Sequence, residues 1–129
     1  MPRIARQEKP LPADRLTIRL DLASGARIGP GKVALLEAIA RHGSISAAGR
    51  ELRMSYRRAW DLVEALNKAL GTTVVSTATG GAGGGGATLT AAGAAVVAEY
   101  RAIEREALAG AEARIKAILR AAGGDFTPS

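Results

Sequence analysis

Two arginines and an aspartate stand within "SYRRAWD", Ser55–Asp61, and a lysine follows at Lys68. A guanidinium offers a planar pair of donors that fits O6 and N7 of guanine, and a carboxylate can accept from the amino group of cytosine. Lysine and serine suit phosphate oxygens, which fix position without reading sequence. The chemistry open to this cluster is therefore recognition of a nucleic acid. On a helix at about 100° per residue, Arg57, Asp61 and Lys68 share one face, with Arg58 and Glu64 on its flanks. Ala59, Leu62, Val63, Leu66 and Leu70 fall on one apolar stripe opposite. The same charges also fit an ordinary solvated face. Tyr56 and Trp60 lie one turn apart at the edge of the stripe, where Trp60 reads as a core or bracing residue. His42 stands beside Gly43 with no ligand partners nearby in sequence, and reads as a helix-end histidine interacting with the dipole.

A second segment with chemical potential is "TATGGAGGGGATLT", Thr77–Thr90, which holds six glycines inside a stretch free of charge from Ala69 to Ala98. Glycines are costly to order. A phosphate-cradling loop of the Walker type needs a lysine and a Ser or Thr directly after its last glycine, leading into a helix. No lysine occurs in the run, and a strand-like "ATL" follows it. The tip of a hairpin accounts for the same residues, because bare backbone can lie against a sugar–phosphate rail and donate amides. A plain flexible loop without contacts also accommodates them.

The elements that would position these residues can be read from caps and periodicity. "LTIRLDL", Leu16–Leu22, alternates for one half-buried strand, and "ASGARIGPG" turns the chain. Pro30 suits the first turn of a helix carrying Val33, Leu35, Leu36, Ile39 and Ala40, closed at Gly43. Ser44 or Ser46 caps a short second helix, "SISAAGREL", with Ile45, Ala48 and Leu52 inward. A tight turn at Arg53 and Met54 precedes Ser55, which caps the third helix; Gly71 ends it. "TTVVST" is a strand, the glycine run a loop, and "ATL" the returning strand. From Thr90 onward, Val96, Val97, Tyr100, Ile103, Ala107, Leu108, Ala111, Ile115, Ile118 and Leu119 recur three and four apart. This predicts an amphipathic helix of roughly 45 Å, with Gly110 interrupting its stripe. The order spells a winged helix-turn-helix: mainly α with a small β-hairpin and a long C-terminal helix. The division is an arm over 1–15, the winged unit over 16–89, the long helix over 90–121 and a tail over 122–129.

Composition narrows the classes. Eighteen Lys and Arg against twelve Asp and Glu give a net charge of +6, which favours a polyanionic partner. With no cysteine, disulfides, thiolate metal sites and cysteine nucleophiles are excluded. "MPRIARQEKP" lacks the apolar stretch of a secretory signal, and the glycine cluster argues against a membrane span through the uncharged segment. A soluble, cytoplasmic protein is expected, with no membrane partner.

"GSISAAGRELRMSYRRAWDLVEALNKAL" followed by "ATGGAGGGGATLTAAG" resembles the DNA-binding domain of ModE-type molybdate-responsive regulators, and the helical part is more loosely similar to LysR-type regulators. The resemblance covers about residues 16–121, and its specific parts are "SYRRAW" and "TGGAGGGGATLT". It implies that the recognition helix begins at Ser55, Tyr56 and Arg57, and that the wing is Thr79–Gly86. It also implies a homodimer held by the first strand region and the terminal helix. Thr77 and Ala82 stand where the family places basic wing residues, so wing contacts would rest on amides around Thr79, Gly80, Gly81, Gly83 and Gly84. Full-length members continue into a molybdate-binding region; this chain ends at Ser129, so no cofactor and no molybdate sensing are expected.

The expected function is sequence-specific binding of double-stranded DNA at a palindromic operator, without catalysis, in control of molybdenum-related or other transport and metabolic genes. Base reading is expected from Arg57 and Arg58, with Ser55, Tyr56 and Asp61 also near base edges. Backbone contacts are expected from Ser44, Ser46, Arg53 and Lys68. Two other classes stay open: an architectural or RNA-binding basic protein with little sequence preference, and a protein that holds an oxyanion or nucleotide in the glycine loop.

Overall fold

In the computed structural model, which describes residues 13–78 and 86–123, the chain runs β1 (Leu20–Asp21), β2 (Arg27–Ile28), α1 (Pro30–His42), α2 (Ile45–Glu51), α3 (Tyr56–Leu70), β3 (Val75–Ala78), β4 (Gly86–Leu89) and α4 (Ala91–Ala121). The core forms where α1 crosses the helix pair. Val33, Leu35, Leu36, Ala38 and Ile39 of α1 meet Ile45 and Ala48 of α2, Ala59, Val63 and Leu66 of α3, Val74, Val75 and Ala87 of the hairpin, and Tyr100 of α4. Ala40, expected inward, is exposed, and Ala38 takes its place. The inward face of α1 is wider than a single stripe because α2, α3, the hairpin and α4 all pack around it.

The caps hold the helices at defined angles. α1 starts with Pro30 in its first turn, where a missing N–H costs nothing, and stops at Gly43 in the left-handed conformation, φ 69°, whose N–H reaches Ile39 O at 2.8 Å. Ser44, not Ser46, caps α2 by accepting from Ala47 N at 3.1 Å. Ser55 accepts from Arg58 N at 3.1 Å and so opens α3. Between them Arg53 is left-handed at φ 58°, and Met54 N returns to Gly49 O at 2.9 Å. Gly49 permits that close return: a Cβ there would stand 3.2 Å from Met54 O.

The two hairpins differ in kind. β3 and β4 pair antiparallel in the register Val75↔Leu89 to Ala78↔Gly86. Their base is tied to the helices, since Ala87 N donates to Gly43 O at 2.9 Å and Val74 N to Asn67 Oδ1 at 2.7 Å. The strand expected over Leu16–Leu22 is shorter than its pattern. Leu16 to Asp21 alternate half-buried and exposed as the sequence predicts, but only Leu20 and Asp21 find ladder partners, Ile28 and Arg27. The partner strand lies in the segment read from sequence as turn alone. Gly25, at φ 96°, reverses the chain fast enough for Ala26 and Ile28 to be buried beside α1.

α4 is 31 residues long and capped by Thr90, whose hydroxyl accepts from Gly93 N at 3.0 Å and donates to Thr73 O at 2.6 Å. Its first three turns pack on the core through Val96, Val97 and Tyr100, and the Tyr100 hydroxyl donates to Ile18 O at 2.5 Å. Arg101 bridges Glu37 of α1 and Glu104, each at 2.7 Å. Beyond this point the helix leaves the core. Ile118 is 65% exposed, and Ile103, Leu108, Ile115 and Leu119, which continue its apolar seam, are not among the residues packed against the core. No helix among the described residues is long and apolar enough to cross a membrane.

Candidate nucleic-acid interface

α3 is built to present one face and lock the other. Ala59, Val63 and Leu66 are buried, with Leu62 and Leu70 partly covered, as the stripe predicts. The first turn projects Tyr56, Arg57 and Arg58 into solvent, with Asp61 one turn on. Arg57 Nε lies 3.6 Å from Asp61 Oδ1 in an exposed i, i+4 pair. Such a pair contributes at most about 1 kcal/mol, so it aligns the guanidinium without preventing it from changing partners.

The flanks of this face differ. On one side a cleft of about 320 Å³ lies between α3 and the β3–β4 hairpin, lined by Ser44, Ile45, Ser46, Tyr56, Trp60, Thr77, Ala78 and Gly86. Trp60 forms its wall and packs against the core, in line with a bracing role. Ser44 is committed to its cap, while Ser46 Oγ accepts from Arg50 Nη1 at 2.9 Å. On the other side Arg58 faces a second cleft with Arg19, Arg27, Lys32, Met54 and Leu62. Arg57 and Arg58, neighbours in sequence, therefore open onto different surroundings.

Arg53 is exposed at the tip of the α2–α3 turn. Lys68 is also exposed but lies near the far end of α3, about 16 Å along the axis from Arg57, so it does not join the cluster. The wing positions Thr79, Gly80, Gly81, Gly83 and Gly84 fall outside the described residues; the strand ends on either side of them, Thr77, Ala78 and Gly86, border the first cleft.

Sequence reasoning missed three cations, Arg19, Arg27 and Lys32, that the small N-terminal hairpin and α1 bring beside Arg58. The available signal was the alternation that puts Arg19 on the exposed face of its strand. It missed also that His42 pairs with a side chain: Nε2 lies 2.6 Å from Glu51 Oε1, and Arg41 holds the other oxygen of the same carboxylate. The His42 hydrogen bond, with the nearby Arg41 charge, keeps the Glu51 carboxyl below its ordinary range despite some desolvation. Among the described residues there is no group of three His, Cys, Asp or Glu that could hold a metal ion.

Three helices around one core, an exposed third helix and a hairpin pinned to the first define a winged helix-turn-helix. Residues 31–94 match the family described as bacterial regulatory helix-turn-helix protein, lysR family. Its relatives include the molybdenum-pterin-binding protein MopB of Rhodobacter capsulatus, 57% identical over 81 residues, which are 63% of this chain and 30% of that protein. The molybdenum transport protein ModE of Azotobacter vinelandii is 36% identical over 107 residues, 83% of this chain and 40% of that protein. The chain thus spans less than half the length of these curated relatives. Among solved structures, the CbnR_DBD–DNA complex aligns with a TM-score of 0.51 at 26% identity, covering 67% of this chain and 95% of that one.

Proposed function

We propose that this chain binds double-stranded DNA sequence-specifically as the DNA-binding part of a transcription regulator. The observation that carries the reading is α3 itself: its inner face is fixed in the core while Tyr56, Arg57 and Asp61 are exposed to solvent at its N-terminal end. A helix so presented enters a major groove with its first turns against base edges. Arg57 reads guanine, Asp61 orients it, and Ser46, Tyr56 and Arg53 meet phosphates, with wing amides from Thr79 to Gly84 completing the contact. The relative solved as a DNA complex and the molybdenum-related names of the other relatives support a regulator of molybdenum-related genes. The reading is non-catalytic and places the protein in the cytoplasm with its DNA.

The exposed seam of α4 supports a homodimer, since an apolar stripe of this length is stable in water when a second copy covers it. Its two reading helices then address successive major grooves about 34 Å apart on a palindrome. Selection of bound fragments from random duplex DNA tests the reading. A palindromic motif bound at least a thousandfold more tightly than random duplex, roughly the floor for specific regulators, is the expected result. Equal affinity for all duplexes, or preference for RNA, would return the protein to the architectural class.

A further inference from the structure

The cleft beside Arg58 is not explained by base reading. It has a volume of about 340 Å³, a floor of Gly29, Gly31, Met54 and Leu62, and a rim of Arg19, Arg27, Lys32 and Arg58. The charges on this rim are unbalanced. Asp21 is shared by Arg19 at 2.9 Å and Arg27 at 3.8 Å, Lys32 Nζ donates only to the Arg27 carbonyl at 2.7 Å, and Arg58 has no side-chain partner among the described residues.

Its place on α3 gives the cleft a direction. At about 100° per residue, Tyr56 and Trp60 fall on the flank of the Arg57–Asp61 face next to the hairpin. Arg58 and Leu62 fall on the opposite flank. A duplex that receives α3 in a major groove about 12 Å wide has a sugar–phosphate rail on each side of the helix. One rail meets the hairpin cleft. The other runs past Arg58.

We infer that Arg19, Arg27, Lys32 and Arg58 form a second backbone-holding surface, which grips the rail opposite the wing while Arg57 reads bases between the two. The inference rests on the proposed DNA-binding function and reassigns Arg58 from base reading to phosphate contact. It also gives the N-terminal β1–β2 hairpin a part in binding, because two of the four cations stand on it or directly before it.

The test uses the full chain and its selected duplex. In the variant Arg19→Gln, Arg27→Gln, Lys32→Gln, the slope of log K against log salt should fall by roughly two to three, at about 0.9 for each phosphate no longer neutralised. The ratio of selected to random affinity should stay within about twofold, since phosphate contacts carry no sequence information. A scan with neutral methylphosphonate links needs no variant. Sensitive links on both strands flanking the read bases support the inference, and in the triple variant those on one strand should fall silent. Sensitivity confined to one rail would overturn it, as would a triple variant with unchanged affinity and slope. If the wild-type chain prefers no duplex at all, the DNA-binding reading itself fails, which is a different result.

Discussion

Arg57 and Arg58 are neighbours in sequence, but they occupy different flanks of α3, and the roles proposed for them divide accordingly. Arg57→Ala should cost about 1–3 kcal/mol on the selected duplex and relax preference at one position per half-site. Titration against duplexes varied at single positions measures this, and unchanged specificity would mean that the reading face lies elsewhere. Arg53 carries two separable effects. It is the one non-glycine residue at positive φ among those described, so Arg53→Gly should relieve up to about 1 kcal/mol of backbone strain and raise the urea midpoint. If its side chain also touches a phosphate, the same substitution lowers the salt slope by about 0.9. A more stable protein with an unchanged slope would leave Arg53 as a turn residue alone.

Between elements, the joint of α1 with α4 is held by Arg101 between Glu37 and Glu104, each pair at 2.7 Å. The hydrogen bond from Arg101 holds the Glu37 carboxyl below its ordinary value of 4.5, against the desolvation that would raise it. A carboxyl whose folded pKa is depressed contributes stability above its unfolded pKa, and that contribution is lost as pH falls through the folded value. Urea midpoints should therefore decline below about pH 4.5, and Arg101→Met should flatten that decline while costing about 1 kcal/mol at neutral pH, a figure reduced for partial exposure. An equally steep decline in Arg101→Met would assign the acid sensitivity to other groups. The helices and most of their caps were legible in the sequence because they depend on local spacing: Ser55, Gly43 and Gly71 each act within four residues, and Ser44 was one of two candidates for its helix. The basic cleft was not, because Arg19 and Arg58 are neighbours only through the fold. The same holds for Tyr100 on Ile18, and for β2, whose two residues give no periodicity. The separation of Arg57 from Arg58 was visible on the helical wheel, but what each flank faces was not.

For the whole molecule, the seam of α4 is the surface on which the proposed dimer rests. Sedimentation of the wild-type chain at micromolar concentration should show a dimer, and Ile103→Glu with Leu108→Glu should give a folded monomer with an unchanged helical head. A wild-type monomer would sink the dimer and the palindrome with it. Molybdate or tungstate at micromolar concentration should leave the DNA affinity of this 129-residue chain unchanged. A coupling of only 1 kcal/mol would appear as about a fivefold shift. Gly93 carries a further consequence. A Cβ there would stand 2.1 Å from Val74 O, so the start of α4 is seated backbone on backbone against the root of the hairpin. A joint that close leaves no room for a side chain between the two backbones, and it fixes where α4 starts on the head that it carries. In the proposed dimer, the angle at which two heads face the duplex would then be set by helical phase along α4. One alanine inserted between Ala102 and Ile103 moves Glu104 off Arg101 but keeps the Arg101–Glu37 pair, the core contacts and the seam, and turns head against seam by about 100°. Sedimentation should still find the dimer, while binding to the palindrome collapses to that of a single half-site.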